Sequence, residues 1–216
     1  MKLQIYSNNF AENILSQEPF SETYRELLWI CENTPLPIYK NKSNAQKKLD
    51  VIQQIMDTYL NMQLKFNDWK IDDKFEVGNE EFITIDYQKN ISSRVKDFKL
   101  HLEVEFGNVA SSYRNYFKLQ YLHLRKASDI GFLILPTESL ARRIDSGVAT
   151  FEKSVNEIIS VRELFNFPLM VIGLDDRDTS EWQLNKSSLT LKELQSKASN
   201  KHELAVIEYI QNLKKE

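Results

Sequence analysis

Three acidic residues stand out for their spacing. Around His101-Leu-Glu-Val-Glu-Phe-Gly-Asn108, Leu100, Leu102, Val104 and Phe106 alternate with His101, Glu103 and Glu105. On a strand this pattern puts four apolar side chains on one face and the carboxylates of Glu103 and Glu105 together on the other. Asp86 lies seventeen residues before Glu103, in Phe82-Ile-Thr-Ile-Asp86, which also reads as a strand. If the two strands pair, three acids converge at one sheet end. Crowded carboxylates repel, and a hard divalent cation relieves that repulsion. The implied chemistry is metal-assisted phosphodiester hydrolysis. Asp86 and Glu103 would bind Mg2+, and Glu105 would orient or deprotonate water or contact a second metal. His101 shares the face without a visible partner, so it reads as a structural or phosphate-contacting residue rather than a base. Alternation of this kind is common on half-exposed strands. This strand sits mid-chain, where a second face is covered and covered acids need a partner.

The elements that must position these acids follow from periodicity. Residues 20–33 have helical spacing and stop before Pro35 and Pro37. A longer helix is predicted to open at Ser43-Asn-Ala-Gln and to carry Leu49, Ile52, Ile55, Met56, Tyr59 and Leu60 on one stripe. The charged segment 67–81 reads as a loop, 81–87 as a strand, 88–97 as a polar connection and 99–106 as the acid-bearing strand. Residues 110–126 form an amphipathic helix rich in Tyr113, Tyr116, Phe117 and Tyr121. Asp129-Ile-Gly-Phe-Leu-Ile-Leu-Pro136 and Phe167-Pro-Leu-Met-Val-Ile-Gly-Leu174 are buried strands. Short helices are expected at 137–144, with Thr137 as N-cap, and at 150–165, and one or two more follow beyond Asp175. This order predicts an α/β fold, a mixed sheet with an early antiparallel pair and later parallel strands, in one domain over 1–216.

Bulk composition agrees. The 216 residues are 42% hydrophobic with five glycines and five prolines, which suits a packed globular chain. No apolar run is long enough for a membrane span, and the N-terminus lacks a secretory apolar region. The single cysteine, Cys31, forms no internal disulfide, and no Cys/His cluster suggests zinc. The expectation is a soluble cytoplasmic protein without an organic cofactor. Net charge is −3, but lysines and arginines cluster at 40–48, 89–99 and 114–126. Phosphate binding needs a basic stripe, not a basic protein, although such clusters are more often solvated faces.

The chain resembles the type II restriction endonucleases of the BamHI, BglII and BstYI group, within the PD-(D/E)xK nuclease superfamily. The resemblance is carried by Ile85-Asp86-Tyr-Gln-Lys89, Glu103-Val-Glu-Phe-Gly-Asn108, Ser111-Ser-Tyr-Arg114, Asp129-Ile-Gly-Phe-Leu-Ile-Leu-Pro136 and Met170-Val-Ile-Gly-Leu174. It implies a restriction-endonuclease-like core over about 80–175, a central mixed sheet flanked by helices on both sides. Asp86 falls on the first metal-binding aspartate and Glu103 on the second acid. Glu105 falls where most of the superfamily has lysine, the BamHI type glutamate, and the BglII and BstYI types glutamine. Asn108 and Arg114 match residues that face DNA, with Ser111 beside them; their side chains suit base-edge recognition. Asn108 is equally a helix cap, and Arg114 an ordinary surface arginine, on sequence alone. Ser146 and Gly147 stand where BamHI has an Asp-Arg pair reading the outer base pair, and the BstYI type also has Ser-Gly. Asp97 rivals Asp86, because the spacing to the Glu-x-Glu/Gln element is much shorter in BglII-like enzymes. Asp86 is preferred for its apolar strand.

The resulting expectation is a homodimeric, Mg2+-dependent type II restriction endonuclease. It would cut double-stranded DNA at a short palindrome, GATC-centred and of the RGATCY, BglII or BamHI kind, leaving 5′ overhangs. Helices at 110–126 and 151–165 would build the dimer contact. The alternatives are a catalytically inactive sequence-specific DNA-binding protein, a repair or recombination nuclease on the same core, and an interaction domain without nucleic-acid affinity.

Overall fold

The computed structural model describes residues 1–77 and 80–213, and along 72–82 only the backbone path. In chain order the elements are β1 (Lys2–Asn8), α1 (Ala11–Leu15), α2 (Ser21–Glu32), β2 (Leu36–Ile38), α3 (Gln53–Phe66), β3 (Lys70–Val77), β4 (Glu80–Ser92) and β5 (Asp97–Val104). There follow α4 (Val109–Leu124), β6 (Ile130–Pro136), α5 (Glu138–Ile144), α6 (Phe151–Ser160), β7 (Leu169–Asp175), β8 (Glu181–Gln183), α7 (Leu191–Leu194) and α8 (Asn200–Leu213). Six strands form one sheet in the order β1-β7-β6-β5-β4-β3, and β2 and β8 form a separate parallel pair. β4 runs antiparallel to β5, whereas β5, β6 and β7 are parallel, so the acid-bearing strand is interior.

Both faces of the sheet are covered, and side-chain parity divides the core. Phe132, Ile134, Met170 and Ile172 pack with Leu27, Ile30, Met56 and Leu60 of α2 and α3 and with Val206 of α8. Leu133, Leu135, Leu169 and Val171 face Tyr116 and Leu119 of α4 and Phe151 and Ile158 of α6. All seven residues of β6 are buried, as a strand between two helical layers requires. On β5 and just beyond it, Leu100, Leu102, Val104 and Phe106 belong to the α2/α3 side. By strand alternation, His101, Glu103 and Glu105 then face the α4 side. Among the described residues no helix is long and apolar enough to cross a membrane.

Several elements differ from the expectations. The helix expected from Ser43 starts at Gln53. The residues before it are pulled elsewhere: the amides of Asp50 and Val51 donate to Arg143 O, and Tyr39 N donates to Asp50 O. The segment 67–81 contains strand β3, whose charge-rich sequence suits a sheet edge. β4 continues through the expected polar connection to Ser92, because its pairing with β5 extends to Ser92↔Asp97. The N-terminal residues, not read as a strand, form β1 antiparallel to β7. Thr137 occupies the N-cap position of α5, but its hydroxyl makes no capping bond. The helix expected over 150–165 ends at Ser160.

Arg143 locks segments far apart in sequence. Its guanidinium meets Asp50 at 2.9 Å, Asp176 at 3.0 Å and Glu181 at 2.8 Å. Removing the cation leaves three carboxylates close together without their partner. The side chain keeps 22% of its exposure, which moderates the effect. Arg143→Gln is expected to cost about 2 kcal/mol of unfolding free energy in urea denaturation. A change under about 0.5 kcal/mol would show that solvent replaces the network.

Candidate active site

The site forms where β4 and β5 separate. Their backbone ladder runs from Ser92↔Asp97 to Tyr87↔Leu102. At the next position a side chain takes over, as Asp86 Oδ2 accepts from Val104 N at 3.0 Å. β4 changes face here. Ile83 and Ile85 pack with Leu122 and Ala127 on the α4 side, whereas Tyr87 and Ile91, of the same parity, join the α2/α3 core. The twist carries the Asp86 carboxylate into hydrogen-bond contact with that of Glu103. Asp97 lies at the opposite end of β5 and is exposed.

Each acid has a distinct environment. Glu103 is 1% exposed. Burial first, and then the neighbouring Asp86 charge, push its carboxyl up to about 8. Lys118 of α4 opposes the shift, with Nζ at 2.6 Å from Glu103 Oε1, although no donor is aligned on that buried oxygen. Glu105 also titrates above the ordinary carboxylate range, mainly through burial. Its orientation is fixed from two sides: Gly107 N donates to Oε1 at 2.7 Å, and Asn115 Nδ2 donates to Oε2 at 3.1 Å. A Cβ on Gly107 would stand 2.7 Å from that same oxygen, so a side chain there would displace the Glu105 carboxylate from this orientation.

Sequence reasoning missed three participants. Asp57 on α3 is partly buried, and burial, followed by the charges of Asp86 and Glu105, raises its carboxyl to about 7. It is a fourth acid within electrostatic reach of the site, read in the sequence only as part of a helix with a buried stripe. Asn115 and Lys118 belong to a buried stripe with Ser112 and Leu122 on α4. Polar residues at buried helical spacing were the available signal, yet Lys118 had been grouped with solvated basic residues. His101 is 2% exposed and its ring is held down to about 4 by burial, so it lies in the interior rather than on a phosphate-facing surface.

The remaining candidates gather at the start of α4. Asn108 Oδ1 caps the helix by accepting from Ala110 N at 2.9 Å. The 146–149 loop is fastened beside it: Val109 N donates to Gly147 O at 3.0 Å and Ala149 N to Gly107 O at 2.9 Å. Asn108, Ser111, Arg114, Ser146 and Gly147 are all exposed. Gly147 has φ +78°, a conformation that favours glycine.

As they stand, no three His, Cys, Asp or Glu side chains among the described residues form a metal-holding group. Glu105 is turned onto Gly107 and Asn115, and Lys118 faces Glu103. The donor chemistry nevertheless suits a hard cation: all oxygen, with the buried Glu103 carboxylate in contact with that of Asp86.

Carboxyls with raised native values bind protons that the unfolded chain has released. Stability of the metal-free protein therefore falls as pH rises from about 4 through about 8. Asp57→Asn is expected to flatten this decline and to stabilise the protein at pH 8 by about 2 kcal/mol. Thermal melting across pH 5–9 in chelator checks it; parallel wild-type and variant curves would remove Asp57 from the coupled group.

Comparison with known proteins adds an independent line. The sequence profile of the family described as "Restriction endonuclease BglII/BglIII" matches residues 3–174. The chain is similar to the solved structure of restriction endonuclease BglII complexed with a DNA 16-mer, at 17% identity and a TM-score of 0.67, covering 81% of this chain and 78% of that one. It is also similar to free BglII, at 18% identity and a TM-score of 0.55, covering 81% and 79%. No curated protein matches the chain.

Proposed function

We propose how this chain, which belongs to the BglII/BglIII restriction endonuclease family and is therefore a type II site-specific deoxyribonuclease, carries out its reaction. The observation that carries the reading is the contact between Asp86 and Glu103 at the parting of β4 and β5, with Glu105 and Asp57 beside it. Asp86 and Glu103 would hold a divalent cation, Mg2+. When bound, the cation supplies Lewis acidity toward water and the phosphate, and charge for the developing phosphorane. Glu105 faces the same locus in a fixed orientation, suited to positioning a water or receiving its proton. Asp57 adds negative charge from the opposite helical layer, felt at Asp86 and Glu105. The nuclease unit comprises residues 1–216, with the α2/α3 layer and α8 sharing one core with the sheet.

DNA would lie across the exposed start of α4. Asn108, Ser111 and Arg114 would meet base edges and phosphates there, with Ser146 and Gly147 at the outer base pair. A small Ser-Gly pair offers no bidentate reading group, which fits a degenerate outer position in a GATC-centred, RGATCY-type palindrome cut to leave 5′ overhangs. Cleavage of foreign DNA that has entered the cell would make the protein cytoplasmic.

The other face of α4 supports a homodimer. Phe117, Leu124 and Leu164 are 58%, 63% and 67% exposed. With Tyr113, Tyr121 and Val161 they line an apolar groove of about 970 Å³ between α4 and α6. An exposed aromatic patch of this kind suits an isologous two-fold contact, which matches a palindrome.

Incubation with plasmid carrying RGATCY sites and Mg2+ is expected to give discrete fragments, and end mapping locates the cuts. Glu103→Ala should lose about 100-fold or more in cleavage while retaining specific DNA binding. Undiminished cutting by that variant would remove Glu103 from the mechanism. Phe117→Asp is expected to convert a dimer to a monomer in analytical ultracentrifugation and to reduce double-strand cutting. An unchanged sedimentation coefficient would move the interface elsewhere.

A further inference from the structure

We propose that Lys118 is a positioning residue of the nuclease site, its ammonium holding Glu103 in place and offsetting the crowded carboxylates as charge builds on the reacting phosphate. The inference rests on the metal-dependent nuclease reading above. Lys118 is 7% exposed, which is costly for a lysine unless it has partners. It has two, one on each separated strand: Glu103 Oε1 of β5 at 2.6 Å and Thr84 O of β4 at 3.1 Å. The ammonium therefore bridges the two strands just beyond the end of their backbone ladder at Tyr87↔Leu102. It sets the separation between the strand bearing Asp86 and the strand bearing Glu103.

Charge points the same way. Asp86 and Glu103 are in contact, with Glu105 next on the same face, and an incoming phosphate adds a further negative charge. A fixed ammonium among them offsets charge that develops on the phosphate in the transition state without having to reorganise. Asn115 lies one helical turn before Lys118 on the same buried stripe and holds Glu105, so α4 orients both glutamates.

Substitutions separate charge from packing. Lys118→Gln keeps a donor for Thr84 O without the charge, Lys118→Arg keeps charge, and Lys118→Met keeps the apolar stem alone. Single-turnover cleavage of an RGATCY plasmid is measured against Mg2+ concentration. DNA affinity is measured by fluorescence anisotropy with Ca2+ in place of Mg2+, and folding by thermal melting. Lys118→Gln is expected to lower the maximal rate about 100-fold, with DNA affinity within roughly threefold of wild type. Its half-saturating Mg2+ is expected to fall, because the ammonium no longer competes for Glu103. Lys118→Arg is expected to retain about a tenth or more of the rate. A folded Gln or Met variant that cleaves within roughly threefold of wild type overturns the proposal. So does loss of folding in both, which would make Lys118 a stability residue. Absence of Mg2+-dependent cuts by wild type would instead sink the nuclease reading itself.

Discussion

Carboxylates brought together out of water repel, and each also loses its hydration. At the parting of β4 and β5 this protein does both to Asp86 and Glu103, with Asp57 and Glu105 close by. Such a group is unstable unless protons, a cation or fixed dipoles compensate it. The surroundings supply partial compensation. Val104 N bonds Asp86, Gly107 N and Asn115 bond Glu105, and Lys118 faces Glu103. What remains uncompensated is an affinity for positive charge, held in place by the sheet. The rest of the fold serves to keep the acids from moving apart. β5 is pinned between β4 and β6, and both layers of helices press on it.

Helix α4 connects this pocket to the outside. Its inward stripe carries Ser112, Asn115, Lys118 and Leu122. Its exposed start presents Asn108, Ser111 and Arg114, and its far side presents Tyr113, Phe117 and Leu124. One rigid element thus faces the acids, the proposed duplex surface and the proposed partner subunit. The three faces are joined by continuous helix, with no loop between them. The 146–149 segment is tied to the same helix start, so the residues proposed to read the outer and inner bases share one support.

Much of this was legible in the chain because strand alternation is a strong signal where both faces are covered. β6 and β7 read as continuous apolar runs, and β5 as an alternation with acids on one side. The family-carrying fragments lie in these strands and in the start of α4. Edges were harder. β1 and β3 are peripheral, and β3 is too charge-rich to look like a strand until β4 pairs with it. The segment before α3 looked helical but is held by Arg143 O and Tyr39, partners distant in sequence. Asp57 and Lys118 were missed for a related reason. Each is polar at the margin of a helical stripe, where only the opposing layer decides whether it meets solvent or another charge.

The three-faced α4 has a consequence for how the sequence can vary. Each residue advances an α-helix by about 100°. Deleting or inserting one residue within Val109–Leu124 would rotate everything beyond it by that angle. Lys118 would swing away from Glu103 while Phe117 and Leu124 left the groove. Single replacements along this helix disturb one neighbour at a time; a change in its length would dislocate pocket, duplex surface and subunit contact together. A change in chain length that spares all three surfaces must therefore fall outside the helix.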